Sequence, residues 1–313
     1  MDQLSFSDAA YSYKKKTTRK ERFLCEMDAV LPWDALLQPI LRKYPKPGQG
    51  RRPIPAATML RIYFMQQWYG LSDPGMEDSL YDVESMRRFA GVALDAIPDE
   101  TTICKFRHFL ERHGLTEVLF ERTGQYLSER GLIVCEGTIV DATILAAPTS
   151  TKNRDQARDP EMGSTKKGTT WHFGLKAHVG SDLQGRVHTV VVTSASVHDW
   201  QMMDECLHGD EKVIYGDKAY VDAQRQQDAQ AEGIEWRVLR KATRGRKLTG
   251  ADRSFNRKSN RTRARVEHPF GIIKHLWGYS KVRYRGLAKN AAQLFTLFAL
   301  ANVYLARREL MAT

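Results

Sequence analysis

The stretch TIVDATIL, residues 138–145, decides the fold. Its β-branched and apolar residues read as a strand over Ile139–Leu145, and Asp141 stands in the middle of that run. An ionisable group inside an apolar strand is costly unless something there uses its charge. Downstream, the two-residue period recurs. Trp171–Val179 (WHFGLKAHV) and Val187–Thr193 (VHTVVVT) read as two more strands, with a turn over Ser181–Gly185. Lys212–Tyr215 reads as a short buried strand ending at Gly216-Asp217, and Trp236–Leu239 as a fifth. Lys152–Thr170 is polar and charged and reads as a loop. Ser196–Leu207 and Val221–Ala231 read as helices, and further helices follow around Glu267 and over the apolar run Ala291–Leu305. The order β-β-β-α-β-α-β-α predicts an α/β fold with a mixed sheet: three consecutive strands, then crossover helices.

Upstream of this stretch the periodicity is helical. A basic arm (Lys14 to Arg22) leads into a helix around Phe23–Tyr44. PKPGQGRRPIP then breaks the chain, and Pro55 suits the first turn of a helix that ends at Gly70. In that helix Met59, Ile62, Tyr63, Gln66 and Tyr69 share one face. Further helices are expected at Met76–Tyr81, Ser85–Phe89, from a cap at Asp99 or Thr101 to Gly114, and at Leu115–Arg130. Four segments follow from this reading: residues 1–50, a basic arm and helix; 51–131, a helical unit compatible with helix-turn-helix DNA binding or dimerisation; 132–290, the mixed-sheet core with a basic insertion at about 240–262; and 291–313, a C-terminal helix packing on that core.

Charge is unevenly spread. The chain of 313 residues carries +11, yet Arg237 to Arg285 alone holds sixteen Lys and Arg against Asp252 and Glu267, a local +14, which leaves −3 elsewhere. One strongly cationic segment on a near-neutral protein points to a polyanionic partner, against the alternative of a merely solvated face. Cys25, Cys104, Cys135 and Cys206 never form CxxC, so a zinc cage or disulfide framework is not expected. No signal peptide is evident, and the apolar run Ala291–Leu305, interrupted by Gln293, Thr296 and Asn302, is too short to span a bilayer. A cytoplasmic, nucleoid-associated protein without membrane partners is the expectation.

Three carboxylates carry the chemistry. Asp141 lies mid-strand, Asp217 follows a strand end in VIYGDKAY, and Glu267 sits in RTRARVEHPFGIIK. Strands of one sheet run about 4.8 Å apart, so the two aspartates can converge. Paired divalent ions need such converging carboxylates, one ion activating the attacking group and the other stabilising the leaving 3′ oxygen. Asn260, Arg263, Glu267 and Lys274 fall within an arc of about 60° if the helix is continuous, although Pro269 interrupts its hydrogen bonding. Simpler roles compete: Asp217 as a turn residue, Glu267 as a counter-ion for Arg263 or Arg265, and the His198-Asp199 pair as a helix start.

With these motifs in view, the chain resembles bacterial insertion-sequence transposases of the DDE class, in particular the insertion sequence five family. TIVDATIL, TKKGTTWHFGLKAH, His198-Asp199, YGDKAY and RTRARVEHPFGIIK carry the likeness, with RRPIPAATMLRIYFMQQWYGLSD and MEDSLYD upstream. The resemblance implies a ribonuclease H-like catalytic core behind an all-helical N-terminal domain, with Asp141, Asp217 and Glu267 holding two Mg²⁺ ions, for which Mn²⁺ would substitute. It implies a DNA transposase that binds terminal inverted repeats, hydrolyses phosphodiester bonds at the element ends and joins the 3′ hydroxyl to target DNA. A homodimer or higher oligomer on double-stranded DNA is expected. A signature of tyrosine, arginine, glutamate and lysine is matched by Arg263, Glu267 and Lys274, with Asn260 in the tyrosine's place.

The DNA contacts expected fall in four groups. Arg263, Lys274, Arg265, Asn260 and Lys218 flank the carboxylates. Lys241, Arg244, Arg246, Lys247, Arg257, Lys258 and Arg261 supply the basic segment. Lys166 and Lys167 precede Trp171, which can stack on a base. Arg107, Arg51 and Arg52 come from the helical half. The alternatives are a catalytically inactive, transposase-derived DNA-binding protein and a structure-selective nuclease on the same core.

Overall fold

Pro32 divides the first helical stretch. A computed structural model of the chain describes residues 11, 13–48, 52–152, 154 and 156–312. The single helix expected over 23–44 is two: α1 (Arg19–Val30) and α2 (Trp33–Lys43). Proline disfavours helical backbone in the residue before it, and Leu31 is extended, with ψ 133°. α1 opens with a capping box in which Thr18 and Glu21 exchange side-chain and backbone hydrogen bonds. α3 (Ala56–Tyr69) follows Pro55 and stops at Gly70, whose φ of +65° is left-handed. Of its expected face Met59, Ile62, Tyr63 and Gln66 are buried and Tyr69 is half-buried, but Leu60, Phe64, Met65 and Trp68 are buried too, because it is the central helix of a bundle. Around it lie α4 (Asp73–Asp82), α5 (Glu84–Ala90), α6 (Glu100–Arg112) and α7 (Leu115–Ser128). Asp99 caps α6, accepting from the Thr102 amide at 2.7 Å.

The sheet begins at β1 (Gly137–Ala146), followed by β2 (Gly163–Lys167), β3 (Thr170–Ser181), β4 (Val187–Ser194), β5 (Val213–Tyr215) and β6 (Glu235–Trp236). β3 lies antiparallel beside β1, while β2 and β4 pair end to end along the other edge of β3. β5 runs parallel to β1, and β6 parallel to β5. The order is β2-β3-β1-β5-β6 with β4 on β3, a mixed sheet behind a helical N-terminal half, as in a ribonuclease H-like fold.

Three expectations are corrected here. The stretch 152–170, read as a loop, contains β2, which forms because β3 offers it a free edge. The helix expected over 196–207 is two 3₁₀ turns, Asp199–Met202 and Asp204–Cys206. The Val197 carbonyl there accepts from the Lys176 ammonium (2.7 Å) and the Trp200 carbonyl from Arg225, so cross-chain donors replace an α-helical ladder. β6 is shorter than Trp236–Leu239, although the Arg237 and Leu239 amides still reach the Ile214 and Gly216 carbonyls.

The remaining helices are α8 (Ala223–Ala231), α9 (Gly250–Arg263), α10 (Glu267–Gly271) and α11 (Leu287–Ala312). One apolar cluster runs from the bundle through Leu297 and Phe298 of α11 to Ile139, Leu145, Leu175, Ala177 and Val179 on one sheet face. A smaller cluster of Val140, Ile214, Tyr220, Val238, Met203 and Cys206 lies elsewhere in the core. Asn302 fastens α11 to the sheet: its amide accepts from the Val187 N–H at 2.8 Å and donates to the Val187 carbonyl at 2.6 Å. Among the described residues no helix is long and apolar enough to cross a membrane.

Candidate active site

β1 and β5 pair with Ile139 opposite Tyr215. Two residues further along each strand direction stand Asp141 and Asp217, so parallel pairing brings Asp217, just past the end of β5, alongside Asp141 in the middle of β1. Asp141 points one oxygen at the Ala142 amide (2.8 Å) and the other at Arg263 (2.6 Å). Asp217 accepts from the Ala219 amide at 2.6 Å and caps the 3₁₀ turn Lys218–Tyr220. It therefore serves as a turn cap while standing beside Asp141.

Glu267 arrives from the basic segment, and not on one continuous helix. α9 ends at Arg263, a 3₁₀ turn covers Ala264–Val266, α10 restarts at Glu267, and a π-helical turn covers Ile272–Leu276. The restart places Pro269 in the first turn of α10, where its missing N–H costs nothing. The single arc expected for Asn260, Arg263, Glu267 and Lys274 is thus broken, yet Arg263 still reaches Glu267 at 3.7 Å. One guanidinium bridges Asp141 and Glu267. Lys274 donates to the Ile144 carbonyl of β1 at 2.6 Å, and Asn260 faces the Arg263 Nε at 3.5 Å. The 3₁₀ turn is seated by close approach: Arg265 donates to the Leu183 carbonyl at 2.5 Å, and a Cβ on Gly185 (φ +84°) would lie 2.3 Å from the Arg265 carbonyl oxygen.

The electrostatics follow from this crowding. Burial pushes the Asp141 carboxyl up to about 6. Arg263 and the Ala142 amide oppose that rise, and Glu267 and Asp217 add to it. Burial lowers Lys274, and the neighbouring Lys167 lowers it further. Among the described residues no three His, Cys, Asp or Glu side chains stand close enough together to hold a metal ion as they are. The donor chemistry still fits a hard divalent cation. Mutually repelling carboxylates collect where β5 ends beside β1, and a cationic side chain fills the space between two of them.

The other expected DNA contacts are spread over the surface around this site. Lys218, Arg257, Lys258, Arg261 and Arg265 are exposed, as is Arg52; Arg51 lies outside the described residues. Lys241, Arg244, Arg246 and Lys247 are exposed on a loop closed by Thr243 and Arg246. Part of that loop lines a cleft of about 450 Å³ with Trp236, Val238 and Leu239. The Leu239 amide bonds the Gly216 carbonyl, so this cleft adjoins Asp217. Lys166 and Trp171 pair across the β2–β3 hairpin, with Trp171 68 % exposed. Arg107 departs from expectation. It is buried beneath the Tyr284 ring, 2.8 Å from Asp73 and 3.5 Å from Glu111, and has no face to offer DNA. Its spacing on α6 resembles that of a recognition helix, but the fold turns it inward.

One cluster escaped the reading of the sequence. Lys176 and His178 alternate on β3, and the buried Lys176 ammonium lies 2.9 Å from Asp199. His178 donates to or accepts from Thr193 at 2.8 Å, and burial pushes it down to about 4, so it is neutral near pH 7. The His198-Asp199 pair does start a helix, a single 3₁₀ turn that His198 caps through a capping box with Gln201 and that Lys176 anchors through Asp199. The turn packs against Lys218–Tyr220, directly after Asp217. The polar alternation in LKAH was the available signal.

A family model described as a transposase DDE domain matches residues 136–303, and one described as a transposase domain (DUF772) matches residues 11–109. The crystal structure of the Mos1 strand transfer complex aligns over 77 % of this chain and 82 % of that one at 10 % identity, with a TM-score of 0.20, too low to bear on the fold. The first match starts just before β1, takes in Asp141, Asp217 and Glu267, and covers more than half of the 313 residues. The chain belongs to the transposase DDE domain family.

Proposed function

We propose that the protein moves an insertion sequence of the insertion sequence five type. In this reading it binds the terminal inverted repeats, hydrolyses the phosphodiester bonds at the element ends and joins the freed 3′ hydroxyl to target DNA. The observation that carries the proposal is the meeting of Asp141, Arg263 and Glu267 beside Asp217, where β5 ends next to the middle of β1. Asp141, Asp217 and Glu267 are the groups that would hold two Mg²⁺ ions, or Mn²⁺ in their place. Such ions, when bound, polarise phosphoryl oxygens and lower the pKa of water.

The chain's own residues do the positioning. Asp141 sits on a strand paired on both sides, so its carboxylate has little freedom to drift. Arg263 and Lys274 would take backbone phosphates on either side of the reacting one. The exposed cations at 241–247 would hold flanking duplex, and Trp171 would stack on a base beyond the β2–β3 hairpin. Two ends must be processed together, which calls for a dimer or larger assembly on DNA.

The test is cleavage of a plasmid carrying the element with its flanking DNA. Asp141→Asn and Glu267→Gln should each abolish Mg²⁺-dependent nicking while DNA retention in a gel shift persists. Nicking that survives either change would remove the assignment. A pre-cut 3′ end offered with target DNA separates a transposase, which joins it, from a nuclease, which does not.

A further inference from the structure

The Arg263 guanidinium occupies the space in which the carboxylates of Asp141 and Glu267 face each other. One of its nitrogens is 2.6 Å from Asp141 Oδ2 and the other 3.7 Å from Glu267 Oε1. A divalent ion shared by those carboxylates needs oxygens at about 2.0–2.1 Å, and a guanidinium cannot remain between them. Two cations in one site also repel. Arg263 and the metal are therefore alternatives.

The surroundings give Arg263 somewhere to go. It lies on the last turn of α9, where the helix gives way to the 3₁₀ turn, and its side chain is 20 % exposed. Glu267 is 57 % exposed, so the bridge opens toward solvent on the side of the basic segment. The planar fork that holds a carboxylate holds a phosphate equally well.

We infer that Arg263 is a positioning residue with two successive partners: in the DNA-free protein it holds Asp141 and Glu267 together in place of metal, and a DNA phosphate draws it off so that the divalent ion loads afterwards. The inference rests on the metal-site reading proposed above. It adds an order of events, DNA before metal, which keeps the protein from assembling a loaded site without its substrate. Coupling of this kind is reciprocal, so metal should also tighten DNA binding.

The test is Mn²⁺ binding, followed by electron paramagnetic resonance on the full-length protein, with Asp141→Asn subtracted so that only site-bound ion counts. Without DNA, Arg263→Gln should bind Mn²⁺ more tightly than the native protein by roughly ten- to a hundredfold, the scale set by losing one charged hydrogen-bond competitor. Arg263→Lys, which keeps the charge without the fork, should fall between. A generic duplex of about thirty base pairs at low salt should tighten Mn²⁺ binding by the native protein more than by Arg263→Gln. Equal Mn²⁺ affinity in the DNA-free native, Gln and Lys proteins would overturn the inference and leave the metal site standing. Absence of any Asp141-dependent Mn²⁺ binding, with or without DNA, would overturn both.

Discussion

Replacing Asp141 with asparagine should stabilise the DNA-free protein while it abolishes strand cleavage. The carboxyl is held by burial at a pKa of about 6, against an ordinary value of 3.8, even with Arg263 at 2.6 Å. That difference of about two units, at about 1.4 kcal/mol each, puts the cost of the ionised acid at roughly 3 kcal/mol. Asparagine keeps the shape and an oxygen for the Ala142 amide but weakens the bond to Arg263, so a gain of about 1–3 kcal/mol is expected. The sign fixes the pH window. A carboxyl whose pKa is raised by folding binds its proton more tightly in the folded state, so the cost is full above a pH of about 6 and fades as the pH falls toward 3.8. Urea unfolding of both proteins across that window is the assay. The variant's advantage should be widest at neutral pH and vanish on acidification. A variant less stable than the native protein at neutral pH, or an advantage that grows with acid, would refute the argument that this acid is kept at the expense of stability.

Changing Arg244, Arg246 and Lys247 to glutamine should lower the slope of log K against log salt by about 0.9 for each side chain that meets a phosphate, as read by anisotropy titrations at several salt concentrations. Arg107→Met should cost about 1–3 kcal/mol by taking the guanidinium from Asp73, which keeps its bond from Gln66 at 2.9 Å, and leave DNA affinity per folded molecule unchanged. A specific loss of DNA binding there would return Arg107 to the interface. Gly185→Ala forces a left-handed backbone on alanine and drives its Cβ into the Arg265 carbonyl, so about 1–3 kcal/mol of stability should be lost. Because that contact seats the turn ahead of Glu267, plasmid nicking should fall further than DNA retention.

The three carboxylates could be found in the sequence because each breaks a local rule. Asp141 interrupts an apolar strand run, Asp217 ends one, and Glu267 is one of two acids among sixteen basic residues. The strands of the central sheet were legible for the same reason: their two-residue period is local. Segments whose state depends on distant partners were not. β2 hides in a polar stretch because its pairing energy comes from the edge of β3, not from its own side chains. The stretch 196–207 has helix-like composition, but Lys176 and Arg225 claim its carbonyls from elsewhere in the chain.

Sequence alone showed the helical N-terminal part, five of the six strands, the placement of charge and the candidate acids, since propensity, period and composition are properties of neighbouring residues. The tertiary structure decided that Arg107 turns inward, that Lys176 and Asp199 anchor the turn behind Asp217, and that one guanidinium joins Asp141 to Glu267. Those facts depend on residues apart in sequence meeting in the fold, 34 positions for Asp73 and Arg107 and 122 for Asp141 and Arg263, and only strand pairing and helix packing can set such distances.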